Sequence, residues 1–538
     1  MLISVGAKRL SIQGIEGEDI IIHSFGYFIY KNQFYAADRL CEFVRQSYVN
    51  QLLPSIIPSL SGCFQLTIID KNSNRCLVVQ DRWGSYPMFY YQSNDSLIFS
   101  INSQSLYDLN LSLSINKQAC AEMISFGHVM GNKTLVNEIQ EFAPHHWYEI
   151  SLQDDGFKMQ AHDYWKLTYT FQKANFAEKS KAFADLWFKK MAIFADAIHQ
   201  SGKCCYIPLS AGLDSRLLAT AIDRENVPQI NLTFGSGVES REIDIAGKVS
   251  RSLQHATGHY ILYLNETNFL QITRNSPTTH RITTGHFAEK DLWYPHLIKR
   301  ECDFMLSGHS GDFMAGSHFK TRMKSWRNVD EVVEYIVKFK GTPLGRHLYF
   351  NNFDVKELLY NSLSSIIGGD DDLMNSFMRW DLEERQRRFI MRSVIAENPD
   401  EVPMVLMPFF DYELFDHFVD LPFEFLLNTE LYRHSMVKHI YRQTPQFAKF
   451  KANGQPVYPL IGGVVREYWT KLNDYLNIGR NKNFAFAPDI NWKTLTSQFV
   501  YPQEMPSEWI VPAYISTNSR LLYSLSEFTK GFNQRTQQ

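Results

Sequence analysis

Long apolar runs are missing from this 538-residue chain. The longest, such as VPMVLMPFF at 402–410, fall well short of the about 20 residues that a membrane-crossing helix needs. The opening MLISVGAKRLSIQG lacks the charged-then-apolar pattern of an export signal. There is no run of five or more basic residues, and 54 basic against 57 acidic residues leave a net charge of −3. Nothing there marks a partner of nucleic-acid type, and no membrane partner is expected. Cysteine is sparse: seven residues, at 41, 63, 76, 120, 204, 205 and 302, an odd number with no C-x-x-C pair. They read as buried free thiols in a reducing compartment, and their spacing excludes the usual zinc clusters. The expectation is a soluble, cytoplasmic protein. The P-loop pattern G-x-x-x-x-G-K-[ST] is absent as well.

What is present is enough apolar material for large cores: 44% hydrophobic residues, 14% of the chain aromatic. Length alone suggests about two to four domains. Residues 1–165 read as mostly β. Short runs (IIIHSFGYFIY, CFQLTIID, RCLVVQD, MFYYQ, LIFSI) alternate with turn clusters such as DKNSN and SNDS, which suits two packed sheets. Near 170 the texture changes. AEKSKAFADLWFKKMAIFADAIHQ at 177–200 has helical spacing of its apolar residues. Strand-like and helix-like runs then alternate (CCYIPL, SRLLATAID, QINLTF, REIDIAGKVSRSL, HYILYL), which predicts a parallel sheet of βαβ units. Beyond about 320 the chain reads largely helical, and it ends on a polar NQRTQQ. The boundary between the two parts carries few prolines or glycines, which predicts domains packed against each other rather than tethered loosely.

Two stretches carry chemistry. In YIPLSAGLDSRLLATAI, at 206–222, a strand-like run passes through Ser210-Ala211-Gly212-Leu213-Asp214-Ser215 into a helical one. A helix N-terminus after a strand presents unpaired N–H groups and the positive end of the dipole, a ready site for phosphate. Small residues let phosphate approach the backbone, and Ser210 and Ser215 add hydroxyls. Asp214 would repel phosphate unless it holds a Mg²⁺ that bridges the phosphate oxygens. Asp214 as a helix cap is the plainer alternative. A second stretch, MLSGHSGDFMAG at 305–316, repeats the theme with Ser307, Gly308, His309 and Asp312. At the carboxyl ends of parallel strands, both loops would open where ligands bind.

These residues resemble the asparagine synthetase family. S-A-G-L-D-S is similar to the S-G-G-x-D-S pyrophosphate loop of the ATP pyrophosphatases, and S-G-H-S-G-D to the S-G-E-G-A-D loop of asparagine synthetases. GCFQLTIID, QDRWGSYPMFYY, LIFSINSQSLY, GNKTLVNEIQEFAPHHWYEI and HDYWKL resemble, in order, the glutaminase-like domain. NLTFGSGVESREIDIAGKVS and MPFFDYELFDHFVDLP resemble segments of the synthetase domain. The resemblance implies a glutaminase-like β-sandwich-type α+β domain at 1–168. An α/β adenine-nucleotide α-hydrolase-like domain with a parallel sheet and a largely helical C-terminal part would follow at 177–538. It implies ATP and Mg²⁺, adenylation of a carboxylate with release of pyrophosphate, and attack by an amine to give an amide. Carried over, Ser210, Ala211, Gly212, Asp214 and Ser215 would bind the pyrophosphate part of ATP. Ser307 and Gly308, with the backbone near Phe234, would hold the nucleoside, and Asp214 and Asp312 the metal. A late lysine that steadies the departing pyrophosphate would be Lys451 in FAKFKANGQP, with Lys449 as the rival. Arg385, Arg387, Arg388 and Arg392 read either as contacts for an anionic substrate or as a solvated helix face.

The departures matter equally. Glutamine-hydrolysing members begin Met-Cys, whereas Leu2 stands here and the first cysteine is Cys41. The expectation is a domain without glutaminase activity, as in the β-lactam synthetases and lasso-peptide cyclases, with an amine other than glutamine-derived ammonia. Partners would be ATP, a carboxylate substrate, an amine acceptor on a peptide or small molecule, and a protein that delivers substrate. His309 replaces the family Glu and reads either as a base for the attacking amine or as a ribose or phosphate contact. The family E-x-R before P-F-L-D becomes Met404-Val405-Leu406; Glu397 and Glu401 are the candidates to compensate. Macrolactam closure, amidation of a small acid or sugar acid with free ammonia, and a non-catalytic scaffold are the three functional readings left open.

Overall fold

The fold comes from a computed structural model describing residues 3–6, 9–12, 19–93, 96–107, 109, 111–153, 156–235, 240–263, 282–285, 293, 297, 301–368, 372–395, 402–451, 456–458, 503 and 505–536. The first part contains β1 (Ile3–Gly6), β2 (Arg9–Ile12), β3 (Ile20–Tyr30), β4 (Gln33–Ala36), β5 (Ser61–Asp70), β6 (Arg75–Gln80), β7 (Phe89–Gln92), β8 (Ser96–Ser100), β9 (Ile139–Glu141), β10 (His146–Gln153) and β11 (Gly156–Asp163). They form two sheets, β2-β1-β8-β7-β9 and β11-β10-β6-β5-β3-β4, with antiparallel pairing throughout. The sheets face each other over Ile21, Val78, Phe99, Phe142 and Tyr148. Central strand β5 is buried along almost its whole length, and the polar Gln65 and Thr67 that alternate with Phe64, Leu66 and Ile68 are buried as well.

The longer helices described in this part, Ala37–Val49 and Lys117–Phe126, add to the mostly-β expectation. The first carries Leu40 and Val44 at helical spacing, and these pack on the outer face of the six-stranded sheet against Phe28, Phe64 and Leu66.

The second part begins with the helix Phe176–Ser201, which ends at Gly202 in the left-handed region, φ 68°. Its sheet consists of β12 (Cys204–Pro208), β13 (Gln229–Gly235), β14 (Ala256–Tyr263), β15 (Cys302–Leu306) and β16 (Met404–Leu406). The order is β14-β13-β12-β15-β16, and every pairing is parallel. The chain builds outward from β12 to one side and then returns to add β15 on the other. The switch in topology therefore lies between β12 and β15, the position where open parallel sheets bind ligands. Residues beyond β15 are largely helical, as expected. Among the described residues no helix is long and apolar enough to cross a membrane.

The cysteine expectation fails for one pair. Cys204 and Cys302 start neighbouring strands, are register partners, and form a disulfide. Their 98-residue separation hides this in the sequence. Cys41, Cys63, Cys76, Cys120 and Cys205 are free, and all but Cys41 are buried.

The two parts share a packed seam. Trp83 Nε1 donates to Phe410 O at 2.8 Å, and the Ser61 hydroxyl donates to Asp411 Oδ2 at 2.8 Å. Asp411 also caps the helix Tyr412–Val419 through Glu413 N and Leu414 N. The MPFFD segment is thus a structural hinge of the seam. The arginine expectation is corrected here too. Arg387, Arg388 and Arg392 lie in or next to the π-helical stretch Asp381–Met391 and are buried, not on a solvated helix face. All three converge on Glu141 of β9; Arg387 and Arg388 each reach it at 3.3 Å, and Arg392 is hydrogen-bonded to it. Only Arg385 stays partly exposed, 3.8 Å from Asp381.

Candidate functional site

Leu209–Leu213 leaves the carboxyl end of β12 and turns into the helix Asp214–Arg224. That helix forms because Leu217, Leu218, Ala221 and Ile222 repeat at helical spacing and are buried. Its first turn has no side-chain cap, so its leading N–H groups are left for a ligand. The loop is held by its own hydroxyls. Ser215 Oγ accepts from Ser210 N at 3.0 Å and lies 2.9 Å from Ser210 Oγ, which accepts from Gly212 N at 3.0 Å. Ala211 stands where the family has glycine. It does not adopt positive φ, and its N–H donates to Glu242 Oε1 at 2.6 Å.

The second loop, Ser307–Ser310, follows the adjacent strand β15. The two loops meet. A Cβ built on Gly308 would stand 2.7 Å from Ser215 N and 2.8 Å from Ser215 Cα. These are backbone atoms that cannot swing away, so only glycine allows the approach. Asp312 N donates to Asp214 Oδ2 at 2.9 Å, and the Tyr432 hydroxyl donates to Asp214 Oδ1 at 2.8 Å. Ser310, at φ 66°, is anchored from behind by its hydroxyl bond to Gln386 Oε1 at 2.8 Å. Gln386 is in turn bonded to buried Asp381, which takes His318 at 2.7 Å and Lys340 at 3.1 Å.

Electrostatically the site is under-neutralised. Asp214 is half-buried and Asp312 exposed. Burial, and then the charge of Asp312, push the Asp214 carboxyl well above the usual carboxylate range, with Arg433 offsetting part of the effect. The available donors are all oxygen: the carboxylates of Asp214 and Asp312 and the hydroxyls of Ser210 and Ser215. That set suits a hard divalent cation such as Mg²⁺ and not a softer metal. A Cβ on Gly311 would stand 2.7 Å from Asp214 Cγ, so glycine there keeps space beside the carboxylate.

The structure therefore brings together Ser210, Ala211, Gly212, Asp214, Ser215, Ser307, Gly308 and Asp312. His309 lies in the same loop, half-buried, with its N–H 3.4 Å from Ser307 Oγ. Phe234 is the last residue but one of β13, in register with Leu262 of β14, and its ring lies 6.0 Å from that of Trp293. Lys451 is exposed, and its carbonyl accepts from Arg216 on the helix that opens with Asp214. Met404–Leu406 form β16 at the sheet edge, while Glu397, Glu401 and Gly454 lie outside the described residues. Sequence reasoning missed Tyr432, Glu242, Arg216 and Gln386. Glu242 sits in the family-like E-x-x-x-A segment and was findable; no local signal marks the other three.

Comparison with known proteins finds a domain match in each part of the chain. Residues 30–165 match a glutamine amidotransferase domain and residues 196–447 match asparagine synthase. Asparagine synthetase [glutamine-hydrolyzing] 2 of Bacillus subtilis (strain 168) is 24% identical over 298 residues, 52% of this chain and 39% of that protein. Asparagine synthetase [glutamine-hydrolyzing] 1 of the same organism is 26% identical over 205 residues, 36% of this chain and 30% of that protein. The matched region thus spans well under half the length of either relative. A solved NMN synthetase from Francisella tularensis shares 14% identity, covering 40% of this chain and 98% of that one, at a TM-score of 0.21, too low to bear on the fold. With both domain matches in sequence order over the two parts just described, the chain belongs to the asparagine synthetase-like family.

Proposed function

We propose that this protein is an ATP-dependent carbon–nitrogen ligase that adenylates a substrate carboxylate, releases pyrophosphate and couples the activated acyl group to an amine. One observation carries the reading: two small-residue loops at a topological switch point meet through Gly308 and Ser215, and the Asp214 carboxylate between them takes the Asp312 main-chain N–H and feels the Asp312 charge. The ligase occupies residues 177–538 and the glutaminase-like domain residues 1–168, in a cytoplasmic protein. Asp214 and Asp312 would hold Mg²⁺, which supplies charge neutralisation on the leaving pyrophosphate. Ser210, Ser215 and the uncapped first turn bind the pyrophosphate oxygens. Ser307, Gly308 and the backbone at Phe234 hold the nucleoside. His309, in the same loop, would take the proton of the attacking amine or contact the ribose or phosphate, and Lys451 would donate to the departing pyrophosphate. Holding nucleotide and acyl group in line is the main work of such a site.

The amine is not drawn from glutamine. Cys41 is half-buried with its Sγ 3.2 Å from Ser24 Oγ, while Cys63, Cys76 and Cys120 are buried. Burial pushes the Cys63 and Cys76 thiols well above their ordinary value, the opposite of an activated nucleophile. The acceptor is then an amine of the substrate itself, as in macrolactam closure, or free ammonia. Substrate-dependent exchange of labelled pyrophosphate into ATP tests the ligase; its absence across peptide, sugar-acid and amino-acid carboxylates would leave only a scaffold. Stimulation by glutamine above that by ammonium salts would overturn the glutamine-independent part.

A further inference from the structure

Arg216 is two residues past Asp214 and is fully buried. A guanidinium out of water ordinarily faces a carboxylate. Among the described residues none lies within ion-pair distance of this one. Its charge is met by main-chain carbonyls from two separate segments. Nη1 donates to Phe447 O at 3.0 Å and Phe450 O at 2.7 Å. Nη2 donates to Ala211 O at 3.3 Å and reaches Lys451 O at 3.4 Å. Ala211 belongs to the loop that faces the nucleotide, and Lys451 ends the segment that carries the candidate lysines. The planar fork fixes both segments on one rigid group, which an ammonium on a flexible stem cannot reproduce.

We infer that Arg216 is a positioning residue: it clamps the Phe447–Lys451 segment to the Ala211 loop and so sets Lys451 beside the pyrophosphate. This rests on the ligase reading and deepens it, because it names the group that anchors the main chain at Lys451. Arg216 touches no reacting atom; it acts through Lys451.

The test is a double-mutant cycle on the full chain, with affinity for inorganic pyrophosphate plus Mg²⁺ measured by calorimetry. Lys451→Ala should weaken binding about tenfold, the usual loss for a charged hydrogen bond. Arg216→Lys should weaken it to a similar extent, with charge retained. The two together should bind no more weakly than Lys451→Ala alone, which a general loss of structure would not produce. Should Arg216→Lys fail to fold, Arg216→Met, which fills the space without donors, takes its place in the cycle. Additive losses, or normal binding by either single variant, overturn the clamp. A wild-type chain that binds neither Mg-pyrophosphate nor Mg-ATP fails the ligase reading itself, an outcome distinct from additivity in a chain that binds both.

Discussion

The domain seam and the loop site each cluster charged side chains, and they treat that charge in opposite ways. At the seam, Glu141 meets Arg387, Arg388 and Arg392, so one carboxylate is surrounded by cations from the other domain. At the loops, the charge of Asp312 bears on Asp214, like on like, while the Asp312 main-chain N–H donates to the same carboxylate. The pKa directions follow. Burial alone would raise Glu141, but the charges of Arg392, Arg388 and Arg387 override it and hold the carboxyl at about 2. Asp214 has no comparable cluster and is pushed up. A joint between domains completes its charge with protein groups. A site built to receive a cation leaves its charge incomplete, which is a reason for perturbed carboxylates to gather at functional sites.

Removing one side of each cluster separates the two cases. Glu141→Gln takes from three buried guanidiniums the carboxylate they share, leaving Glu384 near Arg387 and Arg388 only, and should cost about 3–5 kcal/mol of stability in denaturant unfolding; a loss within about 1 kcal/mol would mean that the seam does not depend on it. The same variant should flatten the acid limb of the wild-type stability curve. Glu141 is depressed in the folded state, so its contribution is present above its unfolded pKa near 4.3 and is lost as pH falls toward about 2.

Asp312→Ala should behave conversely. Pyrophosphate exchange should fall about a hundredfold or more, equivalent to ~2.7 kcal/mol of activation free energy. The melting temperature should hold or rise, because a like charge beside Asp214 is gone. Near-normal turnover with Mg-ATP would defeat the metal assignment. Gly308→Ala tests the contact between the loops: forcing a Cβ against Ser215 should cost about 1–3 kcal/mol and weaken Mg-ATP binding, read by calorimetry. Smallest is Tyr432→Phe, which removes one donor to Asp214 and should change Mg-ATP affinity by about 0.5–1.5 kcal/mol, under fifteenfold.

Much of this was legible because local rules carry it. Alternating and continuous apolar runs marked the strands, and period-3.6 spacing marked Phe176–Ser201. Small residues between an apolar strand and an apolar helix marked both loops. The rest depends on partners far apart in the chain. Glu141 and Arg392 are 251 residues apart, and Tyr432 and Asp214 are 218 apart. An arginine buried against a distant carboxylate has the same sequence signature as one on a solvated helix face, so Arg387, Arg388 and Arg392 were open to misreading. Cys204 and Cys302 likewise become neighbours only when β15 docks beside β12.

The sequence by itself determined which segments are strands and helices and where the chain can approach a phosphate, because backbone sterics, glycine and apolar periodicity act over a few residues. Tertiary structure alone decided that the two loops face one another, that Arg216 ties a late segment to the first loop, and that one cluster of charge is neutralised and the other is not. Strand order is set by packing whole elements together, and no short-range pattern encodes it.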